Sequence, residues 1–457
     1  MATTEVRMIS TSGIVGYGFP EASLKRGLER KPHMIGADGG SSDPGPHYLG
    51  SGKSFTSRLA QKRDIRVMLN AALSSRIPMV IGTCGGAGAE PHLKSTVEIV
   101  REIAREDGLS FRMAVIHSEQ DKPWLRERLA SGRVRPLGNA SPLTQSDIDR
   151  AERIVGMMGP EPYLAALESG AQVVLGGRTT DAAPWAALAM HHGLPPATGW
   201  YAGKMLECAC NAAVPKGHDC LLATVTRDYV ETEPTSAERR CTPHSVAVQL
   251  LHEKPSPIHF YEPGGMLDTT HCAFDQFTDR VVRTSGMTWK EQPYTIKLEA
   301  AELVGYSAIT FAGTRDPDLI ARIDVFLEEI RNAVATKVKA FDISPEQYQI
   351  VFRLYGRNGV MGEWEPVGTP AHEIGILAEA VAKTQEIANA VVSVTRVSLL
   401  HTDFPGRLCK EGNMAFPFSP SDIERGPVYQ FSMQHVVEPD NPLAMFPIEY
   451  ETVRGQP

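Results

Sequence analysis

The sequence predicts an α/β protein with a parallel-sheet N-terminal domain, a β-rich middle region and a C-terminal ferredoxin-like α+β domain. Three observations predict this. Strand-length apolar runs alternate with helix-spaced segments through the first half, the pattern of βαβ units. The glycine-rich loops of that half all follow predicted strands. Beyond about residue 296 the order becomes βαββαβ, the split arrangement of a ferredoxin-like unit. The expected boundaries are 1–221, 222–295 and 296–457.

The elements follow in order. Val6 to Ser10 reads as a first strand, followed by the glycine-rich GIVGYGFP and a helix near 21–30. His33 to Ala37 is a second strand that runs into Asp38-Gly39-Gly40. In the helix around 56–75, Ile65, Met68, Leu69 and Ala72 share one face. Pro78 to Gly82 is a strand, with the loop Thr83-Cys84-Gly85-Gly86-Ala87-Gly88 behind it. A helix at 93–106 carries Val97, Val100 and Ile103, and a strand from Phe111 to Ile116 ends at His117. A helix at 161–169 precedes a strand from Ala171 to Leu175, which empties into Gly176-Gly177-Arg178-Thr179-Thr180-Asp181.

The middle region has β-rich runs at 221–226 and 246–251, broken by prolines at 234, 243, 255, 257 and 263. In the last region a strand near 303–312 precedes a helix striped by Leu319, Ile323, Phe326, Ile330 and Val334. Strands at 348–355 and 373–381, a helix at 384–400 and a strand at 428–437 complete it. The late loop carries His401 to Arg407 and Gly412 to Phe418, and its length marks it as functional or interface-forming.

Composition narrows the function classes. With 457 residues, the chain has room for more than one domain at roughly 100–200 residues each. Forty-six basic and 54 acidic residues give a net charge of −8, which argues against a general nucleic-acid binder. No apolar run approaches the ~20 residues of a membrane span, and MATTEVRMIS lacks a signal-peptide core. Seven cysteines, an odd number in a large chain, fit a reducing compartment, so a cytoplasmic location is expected.

Strand-end loops are where open α/β sheets bind ligands, so the candidate site residues come from them. Asp38 can serve as base or acid, with Gly39, Gly40, Ser41 and Ser42 letting a ligand approach the backbone. Gly85 and Gly86 form a second cradle, and Cys84 beside them has the setting of a dipole-activated thiol. Arg178 can clamp a carboxylate, with Thr179 and Thr180 adding hydrogen bonds and Asp181 a second acid–base group. Lys204 and Glu207 are further candidates, and Lys53 is placed to meet an anion.

Other motifs fail on spacing. Gly50-Ser51-Gly52-Lys53-Ser54 ends like a P-loop, but His47 stands where the first glycine belongs. Cys208, Cys210, His218 and Cys220 are metal-ligand types at spacings that match no common zinc site, so no metal is expected. His117-Ser118-Glu119 lacks the P-C-x-x-C partner of zinc deaminases, and no cofactor motif is present.

Several stretches together identify a family. GGRTTDAA at 176–183, GKMLEC at 203–208, ILAEAVAKTQEIANA, PGRLCKEGNMAFPFSPSD and FPIEYE resemble the acyclic terpene utilisation AtuA family over most of the chain. The family's glycine pair with a following proline is similar to Gly85-Gly86 and Pro91, while the R-S-G-D-K-G of some relatives is absent. The resemblance implies a bacterial catabolic protein associated with branched acids or their CoA thioesters.

The expected function is therefore a lyase, a hydro-lyase (hydratase) or a carbon–carbon lyase, using acid–base chemistry on a small anionic substrate, a branched or hydroxy acid or its thioester. The alternatives are a hydrolase with Cys84 as nucleophile and a non-catalytic subunit that docks a small partner. No nucleic-acid or membrane partner is expected, and the chain is expected to form a homo-oligomer.

Overall fold

Apolar runs buried on both sides can be hydrogen-bonded only sideways, and five of them form a parallel core sheet. The computed structural model describes residues 5–252, 256–408, 410 and 413–455. It divides into two compact units, Met1–Glu302 with Phe431–Pro457, and Leu303–Gln430.

In the first unit the parallel strands lie in the order Val6–Ser10, Met34–Asp38, Met79–Gly82, Val173–Gly176, Ser110–Ile116. Ile9, Ile35 and Ile81 face one side with the helices Arg58–Ser75 and Glu90–Asp107. Met8, Met34 and Val80 face the other, against Ala183–His191 and Pro196–Leu206. Helices on both faces leave the carboxyl ends of the strands as the one rim where polar loops gather.

The middle region extends the sheet of the first unit. Leu221–Val225, Tyr229–Pro234, Val282–Ser285 and Ala273–Gln276 continue the same sheet antiparallel beyond Val6–Ser10. His259–Glu262, Gly265–Asp268 and Thr288–Glu291 form a small sheet of their own. The run at 246–251, expected as a strand, falls mainly within the helix Pro243–Leu250, where Thr242 and Ser245 form a capping box and Pro243 takes the first position.

The expected third boundary also differs. Residues 431–457 return to the first unit, where Ile448–Arg454 pairs antiparallel with Ser110–Ile116 and closes that edge of the large sheet. Within the same unit, residues 298–302 pair with Ala151–Gly156, which brings a late segment to the early strands.

The second unit keeps the βαββαβ order. Its strands Tyr348–Tyr355 and Ile374–Ala382, with the parts of Ile296–Thr314 and Asp422–Val437 that fall within it, are neighbours in that sequence, one face covered by the helices Ile323–Val338 and Gln385–His401. The predicted apolar stripe, Leu319, Ile323, Phe326, Ile330 and Val334, is buried in its core. Cys409 and Gly412 of the late loop lie outside the described residues. Among the described residues no helix is long and apolar enough to cross a membrane.

One buried carboxylate fixes the first glycine-rich loop. Asp64, 1% exposed, accepts the amides of Gly16 and Gly18 at 2.8 and 3.0 Å. Asp64→Ala strands both donors. It should cost about 2–3 kcal/mol of stability, read as a lowered urea midpoint.

Candidate functional site

The strand-end loops fit into one another. A side-chain carbon at Gly40 would sit 2.4 Å from the Gly86 carbonyl oxygen, and one at Gly88 would sit 2.2 Å from the Arg178 amide nitrogen. Their glycines therefore serve first to let backbone meet backbone. The amides are committed too: Gly39 donates to Gly82 at 2.7 Å, Thr83 to Gly177 at 3.0 Å and Cys84 to Gly176 at 2.9 Å. The helix after this loop begins with the Glu90 amide held by the Glu119 carboxylate at 2.9 Å, so a protein anion already occupies that end.

Thr83 adopts φ 44°, unfavourable for a β-branched residue. Hydrogen bonds hold it there: its amide donates to Gly177, and its hydroxyl accepts from the Thr179 amide at 3.3 Å and donates to the Thr179 carbonyl at 3.4 Å.

Arg178 follows the strand Val173–Gly176 and is 3% exposed. Its Nε donates to Glu299 Oε2 at 2.9 Å, and its Nη1 reaches the Thr179 carbonyl at 3.2 Å and Asp181 Oδ1 at 3.5 Å. Among the described residues none accepts from Nη2. Glu299 is also held by Ser42 at 2.9 Å and Lys297 at 2.9 Å. Burial raises the Glu299 carboxyl, but Arg178 and Lys297 outweigh it and hold the group at about 2. Burial opposes the Arg178 charge in the same way, and Glu299 and Asp181 outweigh it, so the guanidinium is held more firmly charged than usual.

Asp38 has the opposite balance. Burial pushes its carboxyl well above the usual range, the Asp181 and Glu207 charges push the same way, and the Gly40 amide at 3.1 Å and Arg178 do not compensate. Lys204, 3% exposed at the end of Pro196–Leu206, pairs with Glu207. Burial works against its charge, and Glu207 prevails to raise it.

The structure thus brings Asp38, Ser42, Arg178, Thr179, Asp181, Lys204 and Glu207 together. Thr179 is spent on the fold, its hydroxyl donating to the Met158 carbonyl at 3.0 Å, whereas the Thr180 hydroxyl is buried without a partner among the described residues. Ser41 turns locally, its hydroxyl accepting the Asp43 amide at 3.1 Å. Gly85 packs on His92.

Lys53 does not start a helix. It is exposed past the six-residue helix Pro46–Ser51 and five positions before Arg58–Ser75 begins. Cys84 is not an activated thiol. It is fully buried, its Sγ donates to the Ile81 carbonyl at 3.5 Å, and burial pushes the thiol upward.

Sequence reasoning missed Lys297 and Glu299. The signal was available in Ile296-Lys297-Leu298-Glu299-Ala300, where two opposite charges share one face of an otherwise apolar strand. Among the described residues no three His, Cys, Asp or Glu side chains converge as metal ligands.

Both pKa displacements have consequences for stability. A carboxyl raised on folding costs nothing below its unfolded value and costs increasingly above it. Asp38→Asn should therefore stabilise the protein at pH 7, and the gain should vanish below about pH 3.8. Glu299 is depressed, so its contribution, roughly 3 kcal/mol, is complete above its ordinary value of 4.5 and lost as pH falls through about 2. Glu299→Gln should remove the part of acid unfolding that falls in that window, measured by denaturant titration at each pH.

A family described as "Acyclic terpene utilisation family protein AtuA" matches residues 51–218 and 228–417. No curated protein and no solved structure gives a significant match. The matched segments contain Cys84, Arg178, Asp181, Lys204, Glu207 and Glu299 and cover most of both units, so the chain belongs to the acyclic terpene utilisation AtuA family.

Proposed function

We propose that this family member is a catabolic lyase, in the hydratase sense, acting on a small branched or hydroxy carboxylic acid or its CoA thioester. The observation that carries the reading is a buried Asp38, its carboxyl pushed well above the usual range, beside a charged Arg178 whose Nη2 has no partner among the described residues.

Elimination next to a carbonyl requires a base, an acid and a cation for the developing oxyanion. In this reading Arg178 Nη2 binds the substrate carboxylate or carbonyl, and the Thr180 hydroxyl, buried and unpartnered among the described residues, adds a donor. Asp181 takes the α-proton. Lys204, kept charged by Glu207, stabilises the enolate oxygen. The carbon–oxygen bond then breaks, and Asp38 gives its proton to the leaving hydroxyl to form water. Asp38 suits that role because burial raises its carboxyl well above the usual range.

The test is a thermal-shift screen over carboxylic acids and acyl-CoAs, with and without chelator, followed by turnover of each stabilising compound. A true ligand at ~100 times its dissociation constant should add about 2.7 kcal/mol of stability. Arg178→Ala should abolish that shift. Asp38→Asn should keep binding and lower turnover about 10²–10⁴-fold. Unchanged turnover in both Arg178→Ala and Asp181→Asn would refute the site.

A further inference from the structure

Beside the glycine pair, aromatic rings from three separate loops meet. Tyr17 stands in the loop after Val6–Ser10, Tyr48 in the short helix Pro46–Ser51, Phe55 just beyond it, and His218 ahead of Leu221–Val225. Ring centroids lie 6.3 Å apart for Tyr17–Phe55, 5.7 Å for Tyr48–Phe55 and 5.4 Å for Tyr17–His218, all edge to face. Tyr17 is 47% exposed, while Phe55 and Tyr48 are half-buried.

The cluster adjoins the acid–base centre. A side-chain carbon at Gly86 would sit 3.1 Å from the Phe55 ring, Gly86 abuts Gly40, and the Gly40 amide binds Asp38. The rings are also held in advance. Asp64 fixes the loop of Tyr17, the Thr56 hydroxyl donates to the Val15 carbonyl at 3.2 Å, and Gln61 Nε2 donates to Ser54 at 2.6 Å on the other flank of Phe55. A partly exposed, preorganised aromatic surface next to a few convergent polar groups is how small-molecule sites are built.

We propose that Phe55, with Tyr17 and Tyr48, forms a specificity wall that takes the hydrocarbon portion of a carboxylic-acid substrate whose head lies at Arg178 and Asp38. The inference rests on the acid-binding reading above. A partly exposed aromatic surface of this kind offers an alkyl chain apolar area to bury.

Calorimetric titration with two homologous series, carboxylic acids and the matching primary alcohols from short to long chain, tests the wall separately from the acid site. In the wild type, affinity should rise about fourfold per methylene in both series. Phe55→Ala should flatten that slope while leaving the advantage of acid over alcohol, and Phe55→Leu should restore part of it. Tyr17→Ala, at an exposed position, should flatten it as well and serves if Phe55→Ala fails to fold. A wild-type slope near zero, or an unchanged slope in these variants, overturns the wall. A slope that Phe55→Ala removes, without any acid advantage in the wild type, supports the wall and refutes the acid-binding role of Arg178.

Discussion

The buried ion pair between Arg178 and Glu299 is the interaction on which the arrangement of the first unit's rim depends. A guanidinium that is 3% exposed is tolerable only with a carboxylate in place, because an unpaired buried charge costs several kcal/mol. Arg178 comes from a strand end of the parallel sheet, whereas Glu299 arrives far later in the chain on the segment that pairs with Ala151–Gly156. Ser42 and Lys297 complete the hydrogen bonding of Glu299, so the loop after Met34–Asp38 is tied to the same point. The glycines make this geometrically possible, since any side chain at Gly88 would displace the Arg178 backbone.

That one pair also sets the electrostatics around it. Glu299 takes up much of the Arg178 charge, which leaves Asp38 under the influence of burial, Asp181 and Glu207, and all three push it toward the neutral form. Two acidic side chains in one buried cluster are thereby shifted in opposite directions, Asp38 up and Glu299 down. Lys204 is kept charged by its own partner, Glu207, independently of Arg178. The aromatic cluster at Phe55 reaches the same rim through the Gly86–Gly40 contact.

Much of this was legible in the amino-acid order. Strand-length runs ending in glycine placed Asp38 and Arg178 at the carboxyl edge, and the structure has them there. The helix Pro196–Leu206 was less legible: it is buried all round, so it lacks the polar face that reveals a helix by period. Val246 to Leu251 failed for another reason, because β-branched composition competed with a capping box that favours a helix. Cys84 shows how far local pattern misleads. Its position suggested activation, but the loops of three strands close over it and burial reverses the effect.

By itself, the sequence determined the α/β alternation, the βαββαβ order of the second unit, the rim on which the first unit's polar loops gather, and the family. These follow from period, turn chemistry and local motifs, which are properties of neighbouring residues. Only the tertiary structure decided that residues 431–457 return to the first unit, that Glu299 is the partner of Arg178, and that the Asp38 carboxyl is raised while that of Glu299 is lowered. The physical reason is range. Burial and charge pairing depend on which distant segments meet, as residues 178 and 299 do, and no local pattern encodes that meeting.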